Sequence, residues 1–482
     1  MDASAYYYFK QMKWLLLLII ITGYVTTFRY FVDFAMEFAA YNILAFFSII
    51  LLLSQIDVFD KRLSAVWVAL ILFLMGYFVR FYWITIDPMP VERMLPWNPF
   101  RTMVADRGSL FLAFKLSTVA FSSFCLFVAI FLKILKEKEP VKIEMSSSTN
   151  EVLGQNFYRL LMCATLGLII VLNYLSYKYQ IGEMGSTAGE PLPFRLKGLI
   201  FYSKTVCMPM MVILCIYFLE LKGDYFGSRA GILILILNGT LDMFLRSSRS
   251  SLLLALLLLV FLVLVGGIRF KFKEKLVLFF LVIVAFLMVP VMTEYRTIRL
   301  VENLSHINAI KVLLNNGIGN WLLQFLQGVK FVLFRMPGIE SLWCELALGA
   351  RPLGIYSLII FKATNGIAGY LTYVVHPMKE SNNTLLAPGF VGWLYMVGGL
   401  PIIIAGSFFV ACITVPIWNF CEFAFKHSCG VARVFTLWIL FIALTEGTLD
   451  SMVYMIIAGV ILLVVIEFFI TRLSSGSRRS FR

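Results

Sequence analysis

Apolar runs of about 17 to 25 residues, each long enough to cross a bilayer as a helix, alternate with polar breaks along most of the chain. They fall at 14–29, 34–54, 64–86, 109–132, 157–175, 199–219, 229–245, 250–267, 276–293, 388–417, 432–449 and 451–471, which predicts about twelve transmembrane helices. The stretch 230–267 is the most informative. As one straight helix it would extend roughly 57 Å, about twice the hydrocarbon thickness of a membrane. Its middle reads Leu241-Asp-Met-Phe-Leu-Arg246-Ser-Ser-Arg249-Ser-Ser251, so the chain must turn back near Ser247 and Ser248. The result is a hairpin over 229–267 with Arg246 and Arg249 at its tip. The long run 388–417 carries Pro401 and is expected to kink or tilt there.

Two polar segments interrupt this pattern. The first, Asp87-Pro-Met-Pro-Val-Glu-Arg-Met-Leu-Pro96-Trp-Asn-Pro99, reads as a proline-rich cap loop. The second, 294–385, is far longer than a structureless connection in a compact protein. Within it Asn320, Gln324 and Gln327 form a polar stripe on an apolar helical stretch 321–334, as expected of a helix lying in the membrane interface. The chain therefore reads as an all-α polytopic membrane protein with one large outer loop holding short amphipathic helices. Residues 1–293 carry spans one to nine, 294–385 the extracytoplasmic loop, and 386–482 spans ten to twelve with a basic tail. Composition agrees: 61% hydrophobic residues, 14% charged and a mean hydropathy of +0.89 exclude a soluble domain. The eight cysteines show no paired spacing and read as small packing residues. Lys10 and Lys13 precede the first apolar run without a small-residue cleavage site, so that run is expected to remain as a first span.

Charge adds orientation and a first hint of function. The densest Lys/Arg clusters, at 133–142, 269–275 and 472–482, fall on one side and predict cytoplasmic termini. About half of the 41 Lys and Arg nevertheless fall on the other face, among them Arg93, Arg107, Lys204, Arg246, Arg249, Arg296, Arg299 and Arg351. Snorkelling toward lipid headgroups accounts for some of these. A cation-rich outer surface also points to an anionic substrate handled there.

Arg246 and Arg249 are three apart, and Asp242 lies four before Arg246, within i,i+4 reach. Two guanidinium forks suit the oxygens of a phosphate or pyrophosphate, with Asp242 positioning Arg246. The bland alternative is a charged tip reaching for water. Tyr295-Arg296-Thr-Ile-Arg299 repeats the spacing where span nine leaves the membrane, so the two pairs can approach one diphosphate from both sides. Of three histidines, His306 and His376 fall in the outer loop and His427 on the inner side. A neutral imidazole is the usual general base near neutral pH, although a lone loop histidine is more often a bystander. No His/Cys/carboxylate cluster has metal-ligand spacing, so no metal or other cofactor is expected. Arginines would then carry the charge of any pyrophosphate.

The arginine-bearing span resembles that of Wzy-type oligosaccharide repeat-unit polymerases. Asn382-Asn383-Thr-Leu-Leu-Ala-Pro388-Gly389-Phe390-Val-Gly392-Trp-Leu-Tyr395-Met-Val-Gly398-Gly399 is similar to the segment in which those proteins re-enter the membrane after their large outer loop. The order of parts matches over 230–420. The resemblance implies a metal-independent, inverting glycosyltransferase of the bacterial inner membrane. It would join repeat units carried on undecaprenyl pyrophosphate into a surface polysaccharide such as O-antigen, the outer part of lipopolysaccharide. A chain-length regulator and a flippase in the same membrane are implied partners. Arg246, Arg249, Arg296 and Arg299 would bind the pyrophosphate, His376 or His306 would act with Arg249 in catalysis, and Asp242, Asn382, Asn383 and Tyr395 would position the reacting groups.

Three alternatives stand beside this reading. An O-antigen ligase uses the same donor, but the chain lacks a clear His-Asn pair: Pro377 follows His376, and no histidine adjoins Asn382 or Asn383. A flippase for lipid-linked units should show repeat symmetry, whereas one asymmetric loop dominates here. A different membrane glycosyltransferase could use Asp33 and Glu37 as its carboxylates.

Overall fold

A computed structural model describes residues 3–56, 63–86, 106–137, 154–182, 196–248, 251–301, 306–315, 323–329, 338–347, 349, 351–354, 389–446 and 449–479. All regular structure among them is helical. Among the described residues nine helices are long and apolar enough to cross a membrane by length and composition, and two more apolar helices are shorter. The first apolar region holds α1 (Ala3–Thr27) and α2 (Ala35–Gln55), joined through a 3-10 turn, Phe28–Phe34, whose Phe31 leaves helical geometry. Next come α3 (Ser64–Ile86), α4 (Arg107–Glu137), α5 (Gln155–Lys178) and α6 (Leu196–Leu221). The hairpin follows as α7 (Tyr225–Leu245) and α8 (Ser251–Val265). Then come α9 (Phe272–Val301), α10 (His306–Asn315), α11 (Ile339–Ala347), α12 (Phe390–Ala424), α13 (Cys429–Glu446) and α14 (Leu449–Arg479).

The predicted turn-back is present. Gly239 on α7 faces α8 so closely that a Cβ there would lie 2.8 Å from the Ala255 Cβ, the small-residue contact by which membrane helices approach. The kink expected at Pro401 is present as well, and it begins at Gly398 and Gly399, which both leave helical geometry just ahead of the proline. Gly399 takes φ +68°, a conformation open to glycine at little cost.

Packing sorts the helices into two groups. One contains α1 to α4 with α11 and α12; the other contains α5 to α10. The helix α13 joins them, because it packs on α3 and α12 and also on α6 and α8. Its Val431, Val434, Phe435, Leu437, Trp438 and Leu440 are accordingly buried. Large apolar side chains such as Phe226, Phe272, Phe280 and Phe469 lie exposed on the periphery, as the surface of a protein solvated by lipid requires.

The described parts of 294–385 pack against the bundle. Gly338, just before α11, touches the backbone carbonyl of Gly76, about 15 Å along α3 from its Ile86 end. The short helix over 323–329 was expected to lie in the interface. Its Gly328 packs on the Phe286 carbonyl of α9, roughly 20 Å along that helix from Arg299. Buried Arg80 of α3 is paired with buried Glu340 of α11. The α11 part of the segment therefore packs among α3, α4 and α12. Two of the cap-loop and tether segments anticipated from sequence, 87–99 and 136–150, lie almost wholly outside the described residues.

Candidate functional site

The hairpin tip is held by local hydrogen bonding. Helix α7 ends at Leu245, and Arg246 is its C-cap. The Ser248 N–H donates to the Met243 carbonyl and the Ser247 N–H to the Phe244 carbonyl, the double closure of a Schellman motif. That motif needs a residue in the left-handed region, usually glycine, and here Ser247 adopts it at φ +51°. A serine pays a steric cost at that position, which implies a use for its side chain. Ser247 is buried, and its Oγ accepts from Arg299 Nη1 at 3.3 Å. The hairpin tip and the end of α9 are thus in direct contact, as the paired arginine spacings anticipated.

Asp242 is the centre of the site. It is 8% exposed, and Arg246 Nη1 donates to its Oδ2 at 2.8 Å, the expected i,i+4 pair. Ser251, the first residue of α8, donates to the same oxygen at 3.0 Å. Lys204 of α6 places Nζ 2.7 Å from Oδ1 while itself only 3% exposed. Buried Lys204 and partly buried Arg246 therefore share one carboxylate, and Arg299 brings a third positive charge through Ser247. Their net charge is positive in a low-dielectric setting, where an anion is attracted more strongly than in water. Arg246 is fixed further by Nε donating to the Gly182 carbonyl at 3.2 Å and by stacking over Phe201 at 4.8 Å. A second Schellman closure, with Gln180 at φ +49°, ends α5 and positions that Gly182 carbonyl.

Beside this cluster, Tyr295 OH and His306 Nδ1 lie 2.5 Å apart. Tyr295 is fully buried on α9, whereas half-buried His306 opens α10 and also contacts the Tyr177 ring of α5. Burial, and then the nearby positive charge of Arg299, lower the His306 imidazole to about 4. It is therefore neutral at physiological pH.

The predicted residues fall into three groups. Asp242, Arg246, Arg299 and His306 converge, and half-buried Arg296 sits one turn before Arg299. Arg249, His376, Asn382 and Asn383 lie outside the described residues, as does any test of Arg246 and Arg249 sharing a helix face; α7 itself stops before Arg246. Tyr395 belongs to α12, which packs on α4, α11 and α13. Of the alternative carboxylates, Glu37 is paired with Lys115. Lys204, Ser251 and Tyr295 were given no role in the site from sequence, and Ser247 marked only the turn. No family model matches the chain, nor does any curated protein or solved structure.

The strained serine gives a direct expectation. Ser247→Gly should preserve or slightly raise thermal stability, by up to about 1 kcal/mol, because glycine relieves the left-handed backbone. It should at the same time weaken whatever binding depends on Arg299, whose Ser247 contact is lost. Stability in detergent and substrate dependence measured on one preparation separate the two effects; a loss of stability would refute the strain argument.

Proposed function

We propose that this protein polymerises oligosaccharide repeat units carried on undecaprenyl pyrophosphate, as a Wzy-type glycosyltransferase of the bacterial inner membrane. In this reading the chain makes twelve spans with both termini in the cytoplasm, and the hairpin tip faces the outer leaflet. The observation that carries it is the buried cluster in which Lys204 and Arg246 flank Asp242 while Arg299 reaches Ser247. A membrane-embedded positive site of this kind calls for an anion that itself sits at the membrane surface. A lipid pyrophosphate meets that requirement.

In the proposed step the terminal hydroxyl oxygen of a lipid-linked repeat unit attacks the anomeric carbon of the growing chain. The new glycosidic C–O bond forms as the bond to the pyrophosphate oxygen breaks, with inversion. The electron pair leaves on undecaprenyl pyrophosphate, whose charge Arg246 and Arg299 stabilise. The hydroxyl proton passes to neutral His306 and then to water. When Nδ1 carries the imidazole hydrogen toward the Tyr295 oxygen, Nε2 is the free acceptor. Arg249 and Arg296 are assigned to the same diphosphate, and His376 is the alternative base. Recognition of the acceptor falls to the segment 294–385, with Tyr395, Asn382 and Asn383 as positioning residues.

Purified protein in liposomes, given the lipid-linked repeat unit and EDTA, should release undecaprenyl pyrophosphate and build a ladder of products. Intact repeat units with no release would reject the reading. The His306 environment adds a pH signature. Because the imidazole is held at about 4, turnover should persist as pH falls through about 6.5, where a free imidazole protonates, and decline only nearer the lowered value. Arg299→Met removes one of the two lowering causes and should move that acid limb upward. His306→Ala should lower turnover while donor binding persists. An acid limb at the free-imidazole value in the wild type would contradict the assignment.

A further inference from the structure

In the other packing group, α11 carries a second buried acid that the reaction above does not use. Glu345 is 1% exposed, and neither carboxyl oxygen has a hydrogen-bond partner among the described residues. The site is shaped around it. Gly392, in the first turn of α12, faces the carboxyl group so closely that a Cβ there would lie 2.8 and 2.9 Å from its two oxygens. Any larger residue at 392 would displace it.

Among the described residues, no cation is hydrogen-bonded to the carboxyl group. Tyr77 of α3 lies near Glu345 without hydrogen-bonding it, and its hydroxyl accepts the Val391 N–H at 3.1 Å. The nearest guanidinium on that helix, Arg80, is committed to Glu340. The α4 helix carries Lys115, which is paired with Glu37 of α2. The remaining titratable neighbours are Cys344 on α11 and Tyr395 on α12, with Arg351 beside Tyr395. A carboxylate ion in such a place would be desolvated, at a cost that normally makes the group take up a proton instead. A neutral carboxylic acid is tolerated, and a proton needs no cavity.

We propose that Glu345 is a proton-binding site that seats α11: the neutral acid fits the seam between α3, α4 and α12, and loss of its proton drives the helix out toward water. Burial holds the Glu345 carboxyl well above the usual carboxylate range. The sign follows from linkage. The unfolded chain releases this proton near pH 4.3, roughly the ordinary glutamate value, whereas the folded chain retains it. The contribution to stability is therefore complete below that pH and is lost as pH rises through the raised folded-state value. This site would respond to alkalinity, the opposite direction from His306.

The test compares the full-length wild type with Glu345→Gln, a neutral side chain of the same shape; for the labelling arm both carry replacements of the other seven cysteines, leaving Cys344. Thermal stability of the wild type should fall from mildly acidic to alkaline pH, while Glu345→Gln stays flat and is at least as stable at neutral pH. Alkylation of Cys344 by an uncharged reagent should be several-fold faster in the wild type than in Glu345→Gln at the same alkaline pH. Identical pH slopes or identical labelling rates would overturn the proposal. Should Glu345→Gln not accumulate, the wild type decides alone: its infrared spectrum at neutral pH should contain the C=O band of a buried carboxylic acid, and absence of that band overturns the proposal.

Discussion

Protein carrying Asp242→Asn should accumulate poorly in the membrane and unfold early in detergent. Among the described residues Asp242 is the one carboxylate that touches both Lys204 and Arg246. Removing its charge leaves buried Lys204 and partly buried Arg246 without that partner, and breaking a buried ion pair from one side costs about 3–5 kcal/mol. That is a large part of the roughly 5–15 kcal/mol that holds a typical protein folded. The same argument predicts repair. Lys204→Met combined with Asp242→Asn should recover much of the loss, since Arg246 retains the Gly182 carbonyl and the Phe201 ring. Normal abundance and melting of the single variant would show that the cluster is solvated and not a buried network.

Arg246→Lys should give the reverse pattern: near-normal protein with polymerisation reduced by about 100-fold or more, the scale on which losing one transition-state donor is felt. Lysine preserves the charge near Asp242 but not the planar fork, which uses Nη1 on Asp242 and Nε on Gly182 while stacking on Phe201. Its remaining edge is the part available to a pyrophosphate oxygen. A point charge on a flexible stem cannot reproduce that arrangement. Full-length polymer made by Arg246→Lys at wild-type abundance would remove Arg246 from the site.

Local spacing carried the sequence reading as far as it could go. The α7–α8 turn followed from the length of an apolar run, and the Asp242–Arg246 pair from i,i+4 geometry. The approach of Arg299 to the tip followed from two similar arginine spacings at helix ends. What the reading missed is non-local. Lys204 looked like one outer cation among many, because nothing in its neighbourhood marks the span that will face Asp242. Tyr295 was visible only as the start of an arginine motif, since its partner lies across a turn. The burial of Glu345 and the Arg80–Glu340 pair depend on α11 entering the bundle. Hydropathy gives no sign of that, because a nine-residue helix is too short to register as a span. The strain at Ser247 was equally hidden: glycine would have announced the turn, and serine did not.

The central claim is that the hairpin cluster serves polymerisation, and the surface polysaccharide of a strain lacking this gene, resolved on a gel, tests it most directly. The account predicts that the ladder collapses to material with a single repeat unit, that the wild-type gene restores it, and that Arg246→Lys does not. Complete loss of all repeat-bearing material would indicate a flippase, and polymer stranded on the lipid carrier a ligase. Either result, or an unchanged ladder, would contradict the account.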